Sequence, residues 1–190
     1  MGCSKKSDLI QVIPGKGLAG VELGMTGEKL TSILGEPNSI YNKENIDKLG
    51  VIYDITPDGQ SEKKSLEGME NIKLLLYKKP PLGVLIKDNK VFRLSLSYYE
   101  KVSVKGYPFL KFRYLTQAEY DLLGKPTRLY RNKPVEEDMI SKAPQGTIYE
   151  YYDCNYDSIG LWLGLVFDKT KEKKSKYFIG VNYIDVVSKK

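Results

Sequence analysis

The sequence predicts an α+β protein of two tandem repeats, each with short helices packed on one face of an antiparallel sheet. Three observations predict it. The stretch Leu23-Gly24-Met25-Thr26-Gly27-Glu28-Lys29-Leu30-Thr31-Ser32-Ile33-Leu34-Gly35-Glu36-Pro37 encodes a short helix with both ends marked, and Leu115-Thr116-Gln117-Ala118-Glu119-Tyr120-Asp121-Leu122-Leu123-Gly124-Lys125-Pro126 repeats it in reduced form. Each helix is followed by segments whose apolar residues alternate as in a strand. The landmarks recur at nearly one offset: Gly35 and Gly124 are 89 residues apart, Leu82 and Leu163 are 81 apart, and Phe92 and Phe178 are 86 apart. The repeats are expected at residues 9–98 and 109–187, joined by a linker at 99–108, with residues 1–8 as a flexible tether.

Residues 9–13 read as a short strand ended by Pro14. Gly15-Lys16-Gly17-Leu18-Ala19-Gly20 then matches G-x-G-x-x-G. A dinucleotide site needs the third glycine in an opening helix, and here the next helix starts only after Thr26, so the glycines read as turn residues. In that helix Thr26 caps the first turn, Glu28 sits by the positive end, and Leu30, Ile33 and Leu34 form one apolar stripe before Gly35 and Pro37 stop it. Strands are expected at 50–55, 72–77, 82–87 and 90–98, with 56–70 a polar loop and Asp88-Asn89 a two-residue hairpin turn. In the second half Thr116 and Glu119 have capping-box spacing, residues 131–146 read as a polar loop, and strands are expected at 147–153, 161–167 and 177–187.

The chain has 190 residues, with 15 Tyr against 5 Phe and one Trp, a set that suits strands half dry and half wet. Thirty Lys and Arg against 24 Asp and Glu give +6. The lysines are scattered apart from Lys169, Lys171, Lys173, Lys174 and Lys176, which read as a charged hairpin tip; no nucleic-acid motif accompanies them, so no nucleic-acid partner is expected. The chain contains no histidine, which removes the usual general base and the commonest transition-metal ligand. Its two cysteines, Cys3 and Cys154, are too few for a metal cage or a disulfide framework.

The chain opens Met1-Gly2-Cys3-Ser4-Lys5-Lys6-Ser7-Asp8. Myristoylation needs Ser or Thr where Lys6 stands. The competing reading takes Gly2-Cys3 as the end of a bacterial lipoprotein signal with Cys3 acylated, which requires a hydrophobic signal region ahead of it to have been removed. An ordinary start with an incidental cysteine is the third. Acyl chains on Cys3 would contribute about 0.8 kcal/mol per buried CH₂ to membrane attachment.

Leu-Gly-Met-Thr at residues 23–26, followed by an apolar-spaced stretch and Ile-Leu-Gly-Glu-Pro at 33–37, resembles the signature of the small outer-membrane lipoproteins of the SmpA/OmlA (BamE) family. Its doubling is similar to the β-lactamase inhibitor protein fold. The resemblance covers residues 17–37 well, 82–96 loosely and the second copy weakly, since Tyr114-Leu115 stands where Gly-Met is expected. It implies a cell-envelope protein, outer-membrane anchored, that binds other proteins without catalysis and carries no cofactor.

Asp153-Cys154-Asn155-Tyr156-Asp157-Ser158 places oxygen ligands at the first, third and fifth positions of a calcium loop, but Ser158 replaces the turn glycine and Gly164 stands where a bidentate Glu belongs; no metal site is expected. Cys154 lacks a histidine to activate it, and Glu136 and Glu137 lie adjacent in a proline-flanked loop, so no enzyme activity is expected. What remains is a surface. With helices on one face of each sheet, period two assigns Arg93, Ser95, Glu150, Tyr152, Trp162 and Asn182 to the open face, where Tyr, Trp and Arg are hot-spot residue types; the competing reading puts Trp162 and the tyrosines in the core. The expected partner is another envelope or extracellular protein, with the membrane reached through Cys3. The alternative is a small-ligand carrier using the space between two sheets.

Overall fold

Pro14 and Gly15 end the first strand and turn it back on itself. The computed structural model describes residues 9–49, 71–97, 102–110, 114–132, 149–168 and 179–189. Strands β1 (Ile10–Ile13), β2 (Gly17–Leu18) and β3 (Val21–Glu22) form a tight antiparallel meander. Gly20, at φ +80°, makes the turn between β2 and β3 in the left-handed region that glycine alone enters without cost. The chain leaves that turn as a strand, so G-x-G-x-x-G here is turn chemistry.

Helix α1 (Gly27–Leu34) starts where expected: Thr26 is extended and its hydroxyl accepts from the Lys29 N–H at 3.4 Å, while Gly35, at φ +77°, ends it. Leu30 is its one buried residue. Strand β4 (Ser39–Asn42) and helix α2 (Lys43–Leu49) follow, joined by the Asn42 side chain, which accepts from the Asn45 N–H at 3.2 Å. Strands β5 (Ile72–Lys78), β6 (Pro81–Lys87) and β7 (Lys90–Ser97) form hairpins, the second turning through Asp88 and Asn89 at φ +48° and +59°. Both turn residues adopt the left-handed backbone that a two-residue hairpin needs.

Strand β8 (Val102–Val104) lies within the stretch read as a linker and pairs parallel with β1, tying residues 102–104 to the amino-terminal meander. Strand β9 (Tyr114–Leu115) leads into helix α3 (Gln117–Leu122), whose Thr116–Glu119 capping box is complete. Strands β10 (Arg128–Asn132), β11 (Tyr149–Tyr156), β12 (Leu161–Asp168) and β13 (Ile179–Val187) complete the described chain. The expectations for 50–55 and 56–70, and most of 131–146, fall outside the described residues.

The strands make two sheets: a small one ordered β3-β2-β1-β8 and a nine-stranded one ordered β10-β11-β12-β13-β7-β6-β5-β4, with β9 beside β13. The large sheet is continuous because β7 and β13 pair antiparallel, Ile184 opposite Leu96. One core cluster joins Val84, Leu94 and Leu96 to Leu163, Leu165 and Ile184, and includes Val12, Leu18 and Val104 of the small sheet. A second, smaller cluster of Ile46, Ile72, Leu74 and Leu85 puts α2 on the opposite face of β5 and β6.

The expected α+β fold of two helix-packed repeats is therefore corrected. Among the described residues the chain is mostly β, two sheets with three short helices. Caps specify where a helix begins, but a layer of helices needs apolar faces wide enough to cover a sheet. Helix α1 buries only Leu30 and α3 buries none of its residues; the small sheet supplies much of the cover instead. Among the described residues no helix is long and apolar enough to cross a membrane.

Candidate functional site

Successive side chains of a strand point to opposite faces. Cross-strand register aligns Cys154, Leu163, Ile184, Leu96 and Leu82 in one row, and Arg128, Asn155, Trp162, Asp185, Ser95 and Gly83 in the next. The first row is buried in the main core, so the second lies on the other face of the sheet. There the small apolar cluster under α2 gives way to polar side chains.

Two arginine–aspartate pairs bracket Trp162 on this face. Arg93 donates from Nε and Nη2 to Asp185 Oδ2 at 2.9 and 2.6 Å, and its guanidinium carbon lies 5.1 Å from the centre of the Trp162 ring. The Trp162 Nε1–H donates to Asp157 Oδ1 at 2.8 Å, and Arg128 Nη2 donates to the other oxygen of that carboxylate at 2.9 Å. Thr127 fixes the Asp157 backbone, its hydroxyl accepting the N–H at 3.3 Å. A chain of contacts thus runs from β7 through β13, β12 and the turn after β11 to β10. The Asp185 side chain is 1% exposed and that of Arg93 12%, so the first pair is desolvated; the Arg128 side chain, at 42%, faces water. Burying ions costs several kcal/mol each unless they are paired and hydrogen-bonded, which explains why the buried carboxylates are matched to guanidiniums. Asp185 Oδ1 and Asn155 Oδ1 are buried and accept no hydrogen bond from the described residues.

Of the residues expected on this face, Arg93, Ser95 and Trp162 share it. Tyr152 packs against the main core cluster instead. Glu150 has the register parity of Tyr152 and Cys154 in β11, and Asn182 stands in β13 where the register with β12 shifts between Gly164 and Leu165. Cys3 lies outside the described residues. Sequence reading did not place Arg128, Asp157 or Asp185 on this face; Asp157 it weighed only as a calcium-loop position. Asp185 carried a signal, a lone acid within the apolar run Tyr183-Ile184-Asp185-Val186-Val187.

The calcium-loop pattern takes another shape. Asp153 and Asn155 lie on an extended strand, which spreads alternate side chains about 6–7 Å apart along a line. Asp157 is engaged by Trp162 and Arg128, and no group of three acidic or cysteine side chains among the described residues could hold a metal ion. Cys154 is fully buried; burial first, and then the neighbouring Asp153 charge, push its thiol up to about 12 against the lowering effect of the Tyr120 hydroxyl. At neutral pH such a thiol is inert as a nucleophile.

The core-side face of the sheet carries a second feature at its β4 edge. A groove of about 760 Å³ runs between α1 and the outer strands β4 to β6.

No family model, no curated protein and no solved structure matches the chain.

Proposed function

We propose that this chain is a non-enzymatic protein-binding module of the bacterial cell envelope, contacting another envelope or extracellular protein through the polar face around Trp162. The observation that carries this reading is the clamp on that side chain. An indole fixed by its N–H to Asp157 and covered by Arg93 has little conformational freedom to lose on binding, and Trp and Arg are the types that dominate binding hot spots. Arg128 is the outward member of the set. The groups that could otherwise do chemistry have structural work: Asp157 and Asp185 hold arginines, and the Cys154 thiol is kept protonated.

Attachment to the outer membrane through lipid on Cys3 is part of the proposal and rests on Gly2-Cys3 and the family resemblance. Mass spectrometry of the protein from its native host tests it: an acylated Cys3 supports the anchor, and an unmodified Cys3 behind an intact Met1 removes it. For the surface, Arg128→Ala and Trp162→Phe are expected to lose partners that the unaltered protein captures from native envelope extracts.

A small-ligand carrier is the second reading: Asp185 Oδ1 and Asn155 Oδ1, either side of Trp162 in the row, are shielded from solvent and would meet a ligand only if the side chains over them shift aside. Such a ligand would bring N–H or O–H donors. A rise in melting temperature with a small polyol or amine, lost in Asn155→Ala, would favour it.

A further inference from the structure

The groove at the β4 edge is separate from the Trp162 face, and its lining is of two kinds. Its floor is apolar: Leu75 and Ile86 lie in it, and Ile40 beside them on β4 is 59% exposed. Its rim is acidic, with Glu28 from α1, Glu36 beyond its end, Glu44 from α2 and Asp88 from the β6–β7 turn, against Lys43 and Lys73. This excess of carboxylates belongs to a protein whose net charge is +6.

Two of the carboxylates are held in place by amides. Asn89 Nδ2 reaches both oxygens of Glu28, at 3.1 and 3.3 Å, and Asn71 Nδ2 donates to Asp88 at 3.3 Å. A backbone N–H bond first, then Thr26 and Asn89, hold the Glu28 carboxyl below its ordinary range, so it is charged at neutral pH. Lysine and arginine match such a surface, because an aliphatic stem can lie on an apolar floor while the charged head reaches the rim. The volume lies within the range of pockets that enclose drug-sized ligands, enough for a short stretch of peptide.

We propose that this groove seats an extended segment of a partner protein bearing lysine or arginine side chains. Ile40 takes the stems above the buried Leu75 and Ile86, and Glu28, Glu36 and Glu44 take the heads. The attraction is local and works against the charge of the chain as a whole, which gives salt opposite effects in the two cases. Screening weakens a contact made by the rim carboxylates and relieves a repulsion exerted by the whole protein.

The test is fluorescence anisotropy of a fluorescein-labelled peptide of alternating lysine and leucine, titrated with the full chain at low and high salt. Saturable binding is expected that weakens with salt, and that weakens about tenfold in Glu36→Lys/Glu44→Lys as charge reversal turns attraction into repulsion. Ile40→Ser should weaken it as well; all three sites are exposed, so melting temperatures should stay at the parent value. A peptide with glutamine in place of lysine should bind more weakly, and Arg128→Ala should bind the lysine peptide as the parent does. No saturable binding, equal affinity in the charge-reversed variant, equal affinity for the glutamine peptide, or binding that tightens with salt would each overturn the proposal. Loss in Arg128→Ala would place the peptide on the Trp162 face and overturn the groove alone.

Discussion

Arg93 of β7 and Asp185 of β13 hold the two halves of the large sheet together across its central seam, with two guanidinium N–H groups on one carboxylate oxygen. Both side chains are nearly shielded from water. Removing one member of a buried pair costs about 3–5 kcal/mol, more than the pair adds relative to an apolar replacement. Asp185→Ala and Arg93→Ala are therefore expected to lower unfolding free energy in urea by that amount, with Arg93→Leu/Asp185→Leu costing less than their sum. Because Trp162 is the single tryptophan, loss of Arg93 from above its ring should also change the emission spectrum of the folded protein.

Gly160 sits where the turn after β11 meets the turn after β1. Its carbonyl accepts from the Gly15 and Val187 N–H groups at 3.1 and 3.2 Å, and its φ is +68°. A Cβ at this position would lie 2.4 Å from both Gly15 Cα and the Val187 oxygen. Backbone strain of about 1–2 kcal/mol and overpacking of about 1–3 kcal/mol add, so Gly160→Ala should cost about 2–5 kcal/mol. Gly124→Ala is the control: its φ is also positive but nothing lies within 4 Å, so only the strain should register.

Alkaline pH should destabilise the fold through Cys154. Its folded pKa, about 12, is above the unfolded value near 9.0, so the unfolded chain loses this proton first. The stabilisation is complete below about pH 9 and is lost as pH rises from there towards 12, at about 1.4 kcal/mol per pH unit. Tyr120 and Tyr156, raised chiefly by burial, add in the same direction above pH 10. Cys154→Ala should flatten the fall of melting temperature between pH 9 and 11. In a Cys3→Ser background, the native protein should leave a thiol reagent unreacted at pH 8 until denaturant is added.

The strands β5, β6 and β7 were legible because each is long enough for period two to show, and because Asp88-Asn89 can hardly be anything but a hairpin turn. Both cap residues, Thr26 and Thr116, were legible for the same local reason. The class of the fold was not. It depends on the parallel pairing of β1 with β8, some 90 residues along the chain, and on strands of two residues, which carry no periodic signal. Strand β4 and helix α2 were missed because Asn42 ends one and caps the other, leaving each too short for its period to emerge.

On the candidate site, Arg93, Ser95 and Trp162 were grouped from alternation within single strands. Tyr152 shows the limit of that reasoning: the phase of one strand against the next is set by pairing, and Trp162 stands opposite Asn155, one residue out of phase with Tyr152 and Cys154. Asp185 escaped notice because an acid in a strand looks solvated until its arginine, about 90 residues away in sequence, is seen beside it, and Asp157 reads as a calcium-loop position until Arg128 is found on its carboxylate.

The central claim is that the clamped indole and Arg128 form a contact surface for a protein. Affinity capture from the native envelope, quantified by mass spectrometry for the parent chain, Arg128→Ala, Trp162→Phe and Glu36→Lys/Glu44→Lys, with melting temperatures for each, tests it most directly. The account predicts a partner retained by the parent and the groove variant and depleted at least about tenfold by folded Arg128→Ala and Trp162→Phe. Identical capture by all four would contradict it.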